Sequence, residues 1–137
     1  MEIEKLANEP LLLLDNRYAA LMWFEAACHV AHVDPPVVLY SAAPHTVMRL
    51  ARTGYGVAIV PSQMMTIPRE GIRTVPLVHR GASIGKWAMI AWDAQRFLAP
   101  YAKQFVNELV ASVRHDFPGR DLVRRASVLP RPKEPGS

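Results

Sequence analysis

Val47-Met48-Arg49-Leu50-Ala51-Arg52-Thr53-Gly54-Tyr55-Gly56-Val57-Ala58-Ile59-Val60-Pro61 joins a helix end, a turn and a buried strand without a spacer. The helix spans 44–53: Pro44 suits a first helical turn, where no N–H partner is needed, and Gly54 stands just past the end, free to take the left-handed C-cap. Gly56 allows a tight reversal. Residues 57–60 are apolar with two β-branched members, and Pro61 closes the run, so this is a strand buried on both faces. A helix feeding directly into such a strand is the building unit of a helix-covered sheet.

The same unit recurs upstream. Leu11-Leu12-Leu13-Leu14 is a short apolar run stopped by Asp15-Asn16, which predicts a first buried strand. Residues 17–32 contain no Gly or Pro and are rich in Ala, Leu, Met and Glu, which predicts a helix with Asp15 or Asn16 as its N-cap, ended by Pro35-Pro36. Residues 37–40 read as a second strand. Downstream the pattern weakens: a turn or a single helical turn in 62–71, a more exposed strand over 72–77, a polar Gly-containing connection over 79–85, and a strand over 87–92. Residues 100–115 form a last helix on which Tyr101, Phe105, Leu109 and Val113 recur at i+4 as one apolar stripe. The alternation predicts an α/β domain with a largely parallel, helix-covered sheet. Ligands in such sheets bind at the carboxyl ends of the strands, near Asp15, Ser41 and Pro61.

Length and composition agree with one domain: 137 residues, half of them apolar and a fifth charged, can bury a core. The single cysteine, Cys28, excludes an internal disulfide. With neither a charged-then-apolar leader nor an 18-residue apolar run, the sequence argues against export and membrane insertion, and a cytoplasmic location is expected. The pI near 9.6 invites a nucleic-acid reading until charge is counted by region. Residues 114–137 carry Arg114, Arg120, Arg124, Arg125, Arg131 and Lys133 against Asp116, Asp121 and Glu134, which leaves 10 basic and 9 acidic residues of the total 16 and 12 for the remainder. The excess sits in a Pro-interrupted tail, fit for weak, salt-sensitive attraction and not for base readout. No sequence-specific DNA binding is expected.

The stretch 47–61 resembles the most recognisable part of the effector-binding domain of LysR-type transcriptional regulators, where a helix ends in a Gly-x-Gly turn leading into a strand capped by Pro. Glu9-Pro10-Leu11-Leu12-Leu13-Leu14 resembles the strand entering the second subdomain. Trp87-Ala88-Met89-Ile90-Ala91-Trp92-Asp93 and Leu98-Ala99-Pro100-Tyr101-Ala102-Lys103-Gln104-Phe105 resemble the last strand and final helix. The likeness covers about residues 5–113. It implies one lobe of a type 2 periplasmic-binding-protein-like fold, divided as 1–92 second effector-binding subdomain, 93–117 a C-terminal helix that packs on the first subdomain, and 118–137 a basic Pro-rich tail. It also implies half of a cleft for a small organic effector, anionic in one reading, in a homo-oligomer that reaches DNA only through an N-terminal helix-turn-helix lying outside this sequence. One departure concerns Ala42-Ala43, where family members often carry Ser or Thr that cap the helix and touch the effector.

Candidate effector contacts follow from the strand ends. Asn16 and Arg17 sit between a buried strand and a helix start, where free N–H groups favour an anion, with Asp15 opposing it. Ser41, Ala43, His45 and Thr46 flank the second strand end in the same way, and Pro61 the third. The bland alternative for each is a helix cap or a solvated surface residue. Cys28-His29-x-x-His32 places Cys28 and His32 on one helical face, but a metal needs a further ligand and none stands at ligand spacing. No Gly-x-Ser-x-Gly elbow, phosphate loop or carboxylate pair is present, so no catalytic residue, metal or cofactor is expected. Trp23, Phe24, Trp87 and Trp92 read as packing residues. Two rival functions remain: a stand-alone solute-binding module of periplasmic-binding type, which would ordinarily carry an export leader, and a small metal-dependent enzyme built on Cys28, His29 and His32. Valine is expected to be far more harmful at Gly54 than at Gly81, which reads as exposed loop.

Overall fold

A computed structural model describes residues 1–66, 70–85, 90–93, 95 and 97–120, with the backbone alone for 65 and 66. Its centre is a parallel sheet of β1 (Leu11–Leu14), β2 (Val37–Ser41) and β3 (Val57–Ile59) in the order β2-β1-β3. All four leucines of β1 are buried, as a central strand covered on both faces requires. Successive side chains point to opposite faces. Leu11 and Leu13 join Ile3, Leu6, Phe24 and Cys28 in a cluster under α1 (Ala19–Ala31), while Leu12 and Leu14 join Val47 in a second cluster under α2 (Pro44–Arg52). Burying one leucine contributes about 1.5–3 kcal/mol, against at most about 1 kcal/mol for an exposed ion pair, so these two clusters hold the sheet. Among the described residues no polar or charged side chain is buried.

Helix-covered parallel strands, the α/β class and α2 agree closely with the sequence reading, and Gly54 takes φ +78 at the end of α2. Gly56 differs in its reason: a Cβ there would collide with the Pro10 carbonyl oxygen, so the residue is needed for close approach to the strand entry rather than for a reversal.

Several other expectations are corrected. Helix α1 begins later, with Tyr18 and not Asp15 or Asn16 at its N-cap, because the Asp15 carboxylate is occupied by Arg17. It ends at His32 in the left-handed conformation (φ 54), ahead of the two prolines. Residues 72–77 form no strand. A short antiparallel hairpin, β4 (Val78–His79) with β5 (Ala82–Ser83), stands where a loop was expected, its turn held by residues from the chain's first segment. Gly81 therefore takes φ +78 like Gly54, so the expected contrast between them lapses: valine is strained at both. Of the expected strand at 87–92, residues 87–89 lie outside the described set and 90–92 are not strand; Trp92 is exposed. Trp87 and the tail beyond residue 120 also lie outside it.

The last helix, α3 (Pro100–His115), has the expected bounds and buries none of its residues. Its stripe is open, with Tyr101 78% and Phe105 67% exposed. An unexpected contribution comes from a 3-10 turn, Ile3–Leu6, whose Ile3 and Leu6 are fully buried against β1 and α1.

Candidate functional site at the carboxyl ends of the strands

The helices α1 and α2 cover opposite faces of the sheet. The chain leaves β1 for β2 through α1 over one face and leaves β2 for β3 through α2 over the other, so its connections diverge at the carboxyl ends of β1 and β2. In open α/β sheets that divergence is the ligand crevice. Asn16 and Arg17, exposed in the turn after β1, flank it, and Pro61, half-buried just after β3, stands on the other side of β1. Ser41 ends β2 beside it, Ala43 is the N-cap of α2, and His45 and Thr46 stand exposed in the first turn of that helix.

Hydrogen bonds bring the first two of these loops together. The Asp15 N–H donates to the Ser41 carbonyl at 3.1 Å, and the Tyr18 hydroxyl donates to the Ala42 carbonyl at 3.0 Å. Val60 and Met64, on either side of Pro61, pack against the same buried cluster of Leu12, Leu14 and Val47 as Tyr18 and Leu39. Tyr18 was not among the sequence candidates. The available signal was an amphipathic ring directly after Asp15-Asn16-Arg17, where an apolar body and a polar tip suit a loop junction.

The charge in this site is largely self-compensated. Arg17 Nη2 donates to Asp15 Oδ2 at 2.6 Å and Arg17 Nε to the same oxygen at 3.0 Å, while the Arg17 N–H donates to Asp15 Oδ1 at 3.2 Å. The Arg17 hydrogen bond holds the Asp15 carboxyl below the usual carboxylate range, and Asp15 in turn pushes the guanidinium further up. At α2, Ser41 Oγ accepts the Ala43 N–H at 3.1 Å, Pro44 has no N–H, and Thr46 N–H donates back to the Ala43 carbonyl at 3.0 Å. An anion arriving here meets a cation with its counter-charge in place and a helix start whose donors are partly used. The anion-receptive turn expected from sequence is thus weaker in structure, because Asp15 folds back on Arg17.

A separate groove of about 420 Å³ runs between α1 and β2, lined by Phe24, Cys28, His29, His32, Asp34 and Tyr40 among others. Its cysteine is buried, and burial pushes the thiol up, away from the thiolate that metal binding or nucleophilic attack needs. Among the described residues no three His, Cys, Asp or Glu side chains are placed to hold a metal ion.

A parallel sheet covered by helices on both faces, with loops gathered at its carboxyl ends, defines a ligand-binding α/β lobe. The family model described as LysR substrate binding domain matches residues 1–114, and the chain belongs to that family. It is accordingly a ligand-binding regulatory module of the kind found in LysR-type transcriptional regulators, taking a small-molecule effector. No curated protein and no solved structure matches the chain. No helix among the described residues is long and apolar enough to cross a membrane.

Proposed function

We propose that the chain forms the second effector-binding subdomain of a LysR-type regulator and supplies one wall of a cleft for a small organic effector. Residues 1–92 make the lobe, 93–117 carry the final helix to another subdomain, and 118–137 are a basic tail. The effector contacts are Asn16, Arg17, Ser41, Ala43, His45, Thr46 and Pro61. The observation supporting this is the tie between the loops after β1 and β2, Asp15 to Ser41 and Tyr18 to Ala42, with Val60 and Met64 of the third loop packed on the same buried cluster as Tyr18. The module acts without catalysis, in the cytoplasm, in a homo-oligomer whose DNA contact is made by a helix-turn-helix domain beyond these residues. Effector binding across two subdomains shifts their relative orientation in proportion to its differential affinity for the two arrangements.

The test is a panel of small organic acids, amines and neutral metabolite-like compounds added to isotope-labelled protein. Amide shifts confined to 15–18, 41–43, 45–46 and 60 support the reading. Shifts gathered instead at Phe24, Cys28 and Tyr40 would move the site to the α1–β2 groove and overturn it. Arg17→Met separates ligand classes: an effector bound through its carboxylate at Arg17 loses affinity about tenfold or more, a neutral one keeps it.

A further inference from the structure

The first segment of the chain joins the lobe in two chemically different ways. Its inner side is apolar: Ile3 and Leu6 are fully buried in the α1-side cluster, against which Leu77 and Ile84 also pack. Its outer side is polar and reaches the β4–β5 hairpin. Glu2 accepts the N–H groups of Arg80 at 2.9 Å and Gly81 at 3.0 Å, one on each carboxylate oxygen. These are the two residues of the hairpin turn with left-handed backbone, φ 51 and φ 78, and the first of them is not a glycine. Successive N–H groups in such a turn form a concave anion cradle, and here the carboxylate fills it. Glu4 Oε1 lies 2.8 Å from His79 Nδ1, and the Val78 N–H donates to the Met1 carbonyl at 2.9 Å.

We propose that residues 1–6 are a strap whose carboxylates fasten the hairpin turn, and that acid releases this turn while the three-stranded sheet stays folded. The two regions differ in what protons can reach. The sheet core holds no buried polar or charged side chain among the described residues, so protonation has no direct hold on it. The turn contains Arg80 in the left-handed conformation that disfavours a side chain, and the carboxylate of Glu2 offsets that cost. Hydrogen bonding by its own amide, then His79 and Arg80, keeps the Glu4 carboxyl below its ordinary range against the opposing effect of burial. A depressed acid stabilises the fastened form above the unfolded range, and this contribution is lost as pH falls through the folded value. The hairpin brings His79 and Arg80 to face Glu4, while β5, Ala82 and Ser83, adds no charge; on the strap's inner side α1 brings Cys28, with Glu25, His29 and His32 exposed. Local opening of a polar-held turn ahead of an apolar core is the expected order of stabilities.

Amide hydrogen exchange on the full chain tests this with three reporters: Arg80 and Gly81 for the turn, Ile84 for the hairpin base, whose N–H donates to the Leu77 carbonyl at 3.0 Å, and Leu13 for the sheet. Acidifying from about pH 6 to about pH 3 acts through the depressed Glu4 and is expected to lower turn protection about two- to threefold while Ile84 and Leu13 hold theirs. Glu2→Ala, which removes both turn acceptors, is expected to cost about tenfold at pH 6, and Glu4→Gln the same two- to threefold as acid. Turn protection unchanged by acid or by Glu2→Ala overturns the proposal, as does loss of all three reporters at a single midpoint, which would be global acid unfolding.

Discussion

Strand β1 and helix α3 are both strongly patterned in sequence, yet they end in opposite environments. Every residue of β1 is buried and none of α3 is. The four leucines find cover within the chain, from α1 with the 3-10 turn on one face and α2 on the other. The stripe of Tyr101, Phe105, Leu109 and Val113 is as regular as any amphipathic helix, but the described residues supply nothing that buries it. Periodicity therefore states that a helix has an apolar face, while the identity of the covering surface depends on other parts of the fold. In the proposed regulator that surface is another subdomain.

The comparison can be broken most directly by paired truncations. Leu12→Ala is expected to cost about 2–5 kcal/mol in chemical denaturation, since it opens a cavity between β1 and α2, whereas Leu109→Ala on α3 should stay within about 0.5 kcal/mol. Similar losses at the two positions would mean that α3 is packed in solution. Gly56→Ala comes next: its Cβ would press on the Pro10 carbonyl at the entry to β1, an overpacking cost of about 1–3 kcal/mol. Gly54→Ala meets no atom within 4 Å and suffers only its left-handed backbone, about 1 kcal/mol. Melting curves that reverse this order would remove the assigned approach of β3's leading turn to β1.

Smaller effects on stability sharpen the same contrast. Tyr101→Ser with Phe105→Ser should leave the melting temperature nearly unchanged while abolishing concentration-dependent self-association by light scattering; an open apolar face of this kind seeks cover. A monodisperse monomer at high micromolar concentration before mutation would argue against association through α3. The least stability change is expected at the strand ends. Asp15 is held below its ordinary range chiefly by Arg17, so the stabilisation it contributes is present above the unfolded carboxylate range and fades as pH falls through the depressed folded value. Thermal melts of wild type and Arg17→Met should therefore differ slightly near neutral pH and converge in acid. A gap that widens in acid would contradict the pairing of Arg17 with Asp15.

Much of the fold was legible because its signals are local. An all-leucine run bounded by Asp15-Asn16 specifies a strand covered on both faces, Pro44 and Gly54 bracket α2, and four residues at i+4 spacing place α3. These are consequences of side-chain period and backbone permission within a few residues. The same reasoning placed the proposed ligand contacts, because carboxyl ends follow from element order alone. It misjudged what the loop side chains do there: Asp15 turned toward Arg17 instead of capping α1, and Tyr18 reached across to Ala42.

What only the tertiary structure decided are the long-range meetings. The order β2-β1-β3 puts β1 in the middle, and the need for glycine at position 56 comes from a carbonyl at Pro10. The hairpin at residues 78–83 exists against a weak local pattern because Glu2 and Glu4, some 75 residues earlier in the chain, supply its acceptors. Periodicity and propensity act over one or two turns of chain. A carboxylate filling a turn, or a carbonyl forbidding a Cβ, acts through space between segments whose proximity no local signal encodes.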